Sequence, residues 1–155
     1  MKQTCVVVIV AVMAFAAVAS AQPSLGKPFD LKVGETVIVG HEGLTIGFPR
    51  ILGDSRCPLG VYCIWEGDAA GLVSAKLPSR ERKEYDLHTH RSFQWKVTYH
   101  NYEVTLVNIA PYPYIDSPIP PEDYVVTLVV ADVASPVNVS TWGRIKALYG
   151  GNEGR

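Results

Sequence analysis

The chain contains no Gly-x-Ser-x-Gly elbow, no His-Glu-x-x-His pair and no phosphate-cradling glycine loop. That removes the sequence signatures of serine hydrolases, zinc proteases and nucleotide enzymes. Cationic excess is missing too. With 14 Lys plus Arg against 15 Asp plus Glu, the chain has no concentrated basic face for nucleic acid or an anionic membrane. Cysteine is scarce, at three residues, and Cys5 sits in an apolar segment at the amino terminus. A cystine-dense scaffold is excluded, so the fold has to rest on a hydrophobic core. No internal repeat is present.

That amino-terminal segment reads as a secretory leader. Lys2 precedes an apolar run from Cys5 to Val18, and Ala19-Ser20-Ala21 supplies the small residues of a cleavage site before Gln22. The run is shorter than the ~20 residues that span a bilayer. Residues 1–21 are therefore expected to be removed, which leaves a secreted or periplasmic chain that does not insert in the membrane. Cys5 stands at the front of the run, away from where a lipidated cysteine would lie. In an oxidising compartment the two remaining cysteines, Cys57 and Cys63, are expected to pair. Five residues separate them, with Pro58 and Gly60 among these, so the spacing differs from a redox dithiol.

The stretch around that pair, Asp54-Ser55-Arg56-Cys57-Pro58-Leu59-Gly60-Val61-Tyr62-Cys63-Ile64-Trp65-Glu66-Gly67, resembles the D-S-R-C-P-x-x-V-x-C-x-W-x-G signature of a family of mostly uncharacterised exported bacterial proteins and lipoproteins. A looser likeness runs from about Phe29 to Ala131. The resemblance implies a β-rich exported domain and no particular reaction or ligand.

From Phe29 onward, apolar residues recur at intervals of two in short runs broken by Gly, Pro, Asn and Asp, the pattern of an all-β domain. Strands are expected over Phe29–Val33, Thr36–Val39, Leu44–Leu52, Ala70–Leu77, Glu84–His90, a segment carrying Trp95, Val97 and Tyr99, Tyr102–Ile109, and Tyr124–Ala131. Leu44, Ile46, Phe48 and Leu52 share one parity, and Pro49 marks an edge or a bulge. The last strand lacks clean alternation, which predicts a central position with both faces covered. Residues 110–121 hold five prolines and must form a shaped connection. Seven to eight antiparallel strands favour a single-domain β-sandwich over residues 22–134, with a partly open barrel as the alternative. The tail, 135–155, reads as a linker and a short helix carrying Trp142, Ile145, Leu148 and Tyr149, docked weakly or disordered. Asn138 opens a glycosylation sequon, from which no glycan is inferred.

Candidate sites follow. The disulfide loop presents Asp54, Ser55, Arg56, Tyr62 and Trp65 as a binding loop, because loops on a rigid sandwich are common recognition surfaces. A protease-inhibitor loop centred on Arg56 is a variant of that idea. The same residues also have structural readings, in which Asp54 and Ser55 cap backbone groups, Arg56 pairs with Asp54 or Glu66, and Trp65 seals the core beneath the bridge. Tyr112-Pro113-Tyr114 through Pro121 is a second recognition edge, with tyrosines able to stack on sugar or peptide. His88 and His90, i and i+2 on one strand face with Glu84 and Asp86, would make a metal site if His100 converged on them; the plainer reading is a solvated polar stripe. Glu66 and Asp68 are a carboxylate pair in a turn. No catalytic residue or cofactor is assigned. The resulting expectation is a secreted, non-enzymatic binding or envelope-associated structural module for a protein or glycan partner. The rival readings are a metal-binding protein using His88 and His90, and an extracytoplasmic enzyme.

Overall fold

The computed structural model describes residues 22–133. The expected leader, and the tail with its helix and sequon, lie outside the described residues. Within them the chain forms eight strands: β1 Pro28–Lys32, β2 Thr36–Val39, β3 Leu44–Asp54, β4 Ala69–Lys76, β5 Lys83–His88, β6 Lys96–Tyr99, β7 Tyr102–Ala110 and β8 Val125–Asp132. A single 3-10 turn, Pro121–Asp123, leads into β8. Every pairing is antiparallel, in two four-stranded sheets ordered β1-β8-β7-β6 and β2-β3-β4-β5. One sheet is an uninterrupted meander. The other is the meander β6-β7-β8 completed by β1. The expected sandwich is therefore the architecture found, and neither sheet closes into a barrel.

Alternation explains the layering. Leu44, Ile46 and Phe48 from β3, Val73 and Ala75 from β4, Val104, Leu106 and Ile109 from β7, and Val126, Leu128 and Val130 from β8 are all buried in one core cluster. Each of the Val, Leu, Ile and Phe side chains contributes about 1.5–3 kcal/mol on burial. That core, and not the lone crosslink, carries the stability. No helix among the described residues is long and apolar enough to cross a membrane.

Three local expectations are corrected. Leu52 was assigned inward by parity and is instead exposed. Register shifts between Gly47 and Arg50, and again between Ile51 and Gly53, break the two-residue period, so Ile51 packs against the core in its place. The Pro49 bulge was legible; its effect on the residues beyond it was not. β8 does lie centrally, between β1 and β7, but its outer residues Val125, Thr127 and Val129 are only half-buried. Finally, β5 ends at His88, so His90 is not on a strand.

Candidate functional site

The connection from β3 to β4 is the disulfide segment, and its base is built as a continuation of the strand pair. Ser55 N–H donates to the Asp68 carbonyl at 2.7 Å and Cys57 N–H to the Glu66 carbonyl at 2.9 Å. Ser55 Oγ also donates to the Asp68 carbonyl, at 3.0 Å. Gly67 closes this base with φ of 77°, and a Cβ there would stand 2.6 Å from Arg56 Cα. A side chain at 67 is therefore excluded on both conformational and steric grounds. Above the base, Cys57 and Cys63 are joined, with Cα atoms 5.9 Å apart.

Arg56 points inward and is only 7% exposed. Its Nε donates to Asp54 Oδ1 at 2.8 Å and Nη2 to Asp54 Oδ2 at 2.5 Å, a two-point grip on the carboxylate. The rest of the guanidinium crosses to the other sheet. Nη1 donates to the Ile109 carbonyl at 2.6 Å and Nη2 to the Pro111 carbonyl at 2.8 Å. Those carbonyls need a partner, because β6 pairs with β7 only as far as Thr105 and leaves the later residues of β7 with β8 as their sole strand neighbour. Arg56 thus stands in for a missing edge strand. Asp54 also accepts from Arg56 N–H at 3.1 Å and from Tyr124 OH at 3.1 Å. Burial raises the Asp54 carboxyl, but the Arg56 hydrogen bonds and charge, with the Tyr124 hydroxyl, outweigh it and hold it below the ordinary carboxylate range. Burial and the Asp54 charge raise the Tyr124 phenol.

A second, largely enclosed carboxylate ties the next turn. Asp68 Oδ2 lies 2.6 Å from His88 Nδ1, while Oδ1 accepts from the Thr89 hydroxyl at 3.1 Å and the His90 N–H at 2.9 Å. Burial again raises this carboxyl, and these three bonds together bring it below its ordinary value. His90 Nε2 reaches Glu66 Oε1 at 3.0 Å, and its ring leans on Trp65 and Phe93, centroids 5.7 Å away in each case. Asp68 and His88 form an acid–base pair in outline, but the Ser55 proton is committed to a backbone carbonyl. The pair therefore poises no nucleophile at Ser55.

The disulfide segment and the proline-rich connection are one surface. Leu59 bridges Tyr114, with Leu59 N–H on the Pro113 carbonyl at 3.0 Å and Ile115 N–H on the Leu59 carbonyl at 3.3 Å. The two recognition edges read separately from the sequence are welded together. Tyr62 and Ile64 project fully, at 107% each, with Trp65 at 52% and Leu59, Val61, Tyr112, Tyr114 and Ile115 exposed around them. No charged residue occurs from Cys57 to Trp65 or from Pro111 to Ile115.

The five candidate loop residues therefore divide. Tyr62 and Trp65 are displayed, while Asp54 and Arg56 are internal and Ser55 bonds the loop base. A guanidinium held this way is not offered to a protease or any other partner. Trp65 does not seal the core, since it lies outward against His90. The metal arrangement is not assembled either. His100 sits in the β6–β7 turn with φ of 54°, packed on Tyr99, at the far end of β6 from Gln94, whose carbonyl accepts from His88 N–H. No group of three His, Cys, Asp or Glu among the described residues is close enough to hold a metal ion. Nor do Glu66 and Asp68 act together, because Glu66 is exposed and Asp68 is largely enclosed under the turn, bonded to His88, Thr89 and His90. The reach of Arg56 to Ile109 and Pro111 had no local signal in the sequence. The position of Asp68 after a glycine at a strand start was its only clue.

No family model matches the chain, and neither a curated protein nor a solved structure matches it.

Proposed function

We propose that this protein is a non-enzymatic recognition module of an exported chain, binding a protein or glycan partner through the end of the sandwich where the two loops meet. One observation carries the reading: a charge-free group of aromatic and aliphatic side chains stands in solvent on a segment whose base is fixed by a disulfide, a two-point ion pair and backbone bonds to both sheets. Large exposed apolar side chains are costly unless something covers them, and rigid aromatic anchors are what recognition surfaces use. Fixing the loop in advance lowers the ordering cost on binding. The disulfide supports an oxidising compartment, in keeping with the leader read at residues 1–21. The resemblance of residues 54–67 to exported bacterial proteins points to the cell envelope or its surroundings.

The test is retention of a defined panel of purified glycans and envelope proteins by the immobilised exported chain and by a Tyr62→Ala/Ile64→Ala/Trp65→Ala variant. The reading expects specific retention by the first and its loss in the second at an unchanged unfolding midpoint. A panel from which nothing is held, or a variant that holds the same ligands, rejects it.

A further inference from the structure

Beside the displayed residues lies an open cleft of about 410 Å³, bounded by Arg56, Glu66 and Gly67, by the turn at residues 89–91, and by Val107, Asn108 and Tyr112. Its size is that of a small-ligand site, roughly 300–1,000 Å³. Its lining mixes polar and apolar groups, unlike an enclosed hydrophobic pocket. The floor is the part of β7 that β6 does not cover. There β7 has a register shift between Leu106 and Asn108, so Val107 and Asn108 are both exposed. A bulge that re-aims a side chain at a strand edge commonly accompanies a site.

The groups facing this cleft fall into two sets. Thr89 is committed to Asp68 and Ala69, His90 to Ser92 and to Oε1 of Glu66, whose Oε2 is left over, and Arg56 to Asp54 and the Ile109 and Pro111 carbonyls. Asn108 and Arg91, by contrast, have no hydrogen-bond or ion-pair partner for their side chains among the described residues. Arg91 stacks on the Trp95 ring, with its guanidinium carbon 3.9 Å from the centroid. Stacking fixes the plane and leaves the N–H edge for an anion. Tyr112 is similarly steadied, because Arg56 lies 4.8 Å from its ring centroid while the tyrosine stays exposed.

These features select a ligand chemistry. A pyranose has an apolar C–H face bordered by hydroxyls, each both donor and acceptor. It therefore suits a fixed aromatic ring beside a free amide and an exposed carboxylate, here Tyr112, Asn108 and Glu66. An extended peptide adding to β7 is disfavoured, because the bulge breaks the ladder and Arg56 already occupies the Ile109 carbonyl. The unpaired Arg91 adds a preference for a carboxylate. We propose that this cleft binds a carboxylate-bearing oligosaccharide, with Tyr112 against the sugar face, Asn108 and Glu66 on its hydroxyls and Arg91 on its carboxylate. The assignment rests on the reading of the loop end as a recognition surface and gives it a ligand class.

Tetragalacturonate and the neutral cellotetraose, titrated into the exported protein by calorimetry and followed by amide chemical shifts, test it. The acidic oligomer should bind about tenfold or more tightly than the neutral one, as expected for a charge-assisted contact worth at least 1.4 kcal/mol. Arg91→Gln should equalise the two, and Asn108→Ala should weaken both, each at an unchanged unfolding midpoint. Absence of binding by the folded wild type, equal binding of the two oligomers, or binding indifferent to Arg91→Gln and Asn108→Ala overturns the proposal. If the panel above still yields a ligand that depends on Tyr62, Ile64 and Trp65, the sugar assignment alone falls. If it does not, both fall.

Discussion

The base and the tip of the Asp54–Gly67 segment are close in sequence and opposite in physics. At the base, Asp54, Arg56 and Gly67 are enclosed, and the ion pair is bonded both within itself and, through Nη1, Nη2 and Asp54 Oδ2, to Ile109, Pro111 and Tyr124 beyond the segment. At the tip, Tyr62 and Ile64 touch almost nothing of the protein that carries them. Burying an ion pair costs several kcal/mol per charge, and this cost is recovered only with near-complete hydrogen bonding. Exposed Tyr and Ile side chains return nothing to stability. A residue pattern that looks like one motif in the sequence is therefore two devices in space: a joint between sheets and a surface held out by it.

Substitutions should separate the two, beginning at the joint. Arg56→Ala leaves the Asp54 carboxylate buried without its cation and the Ile109 and Pro111 carbonyls without a donor, so a loss of about 3–5 kcal/mol is expected in urea unfolding. Cys57→Ser/Cys63→Ser removes a ring of seven residues, for which the chain-entropy relation gives about 2 kcal/mol. Acid is a gentler probe of the same joint. Asp54 and Asp68 titrate lower in the folded chain than unfolded, so the unfolded state binds more protons as pH falls. Their contribution is complete well above the ordinary carboxylate pKa of about 3.9 and is lost as pH drops through and below it. Unfolding free energies measured from pH 6 to pH 2 should fall over that window, with a shallower slope in Asp68→Asn. The smallest effect belongs to the tip, where Tyr62→Ala/Ile64→Ala/Trp65→Ala should change stability by no more than about 0.5 kcal/mol per residue.

The same division explains what the sequence could disclose. The strands and the proline-rich connection were legible because two-residue alternation and turn residues are local signals. The disulfide was legible from cysteine count and the oxidising compartment expected from the leader. Leu52 was misassigned because the residue inserted at the first bulge inverts the parity until the second bulge restores it, and alternation carries no record of either. His90 fell off its strand because Asp68, twenty-two residues earlier, draws the turn at Thr89 and His90 onto its carboxylate. The role of Arg56 was hidden for a related reason. Its partners lie 53 and 55 residues away, at the edge that β6 leaves open, and only the assembled sheet shows that edge. Of the two readings of Arg56, binding anchor and structural partner of Asp54 or Glu66, the pairing with Asp54 is the one found, and nothing in the sequence signalled its further bonds to the Ile109 and Pro111 carbonyls.

The most direct test of the central claim sets two unfolding curves side by side, Arg56→Ala and Tyr62→Ala/Ile64→Ala/Trp65→Ala, each against the wild type in urea at neutral pH. The account expects Arg56→Ala to lose about 3–5 kcal/mol and the tip variant to keep an unfolding midpoint near that of the wild type. A tip variant as destabilised as Arg56→Ala, or an Arg56→Ala chain as stable as the wild type, would contradict it.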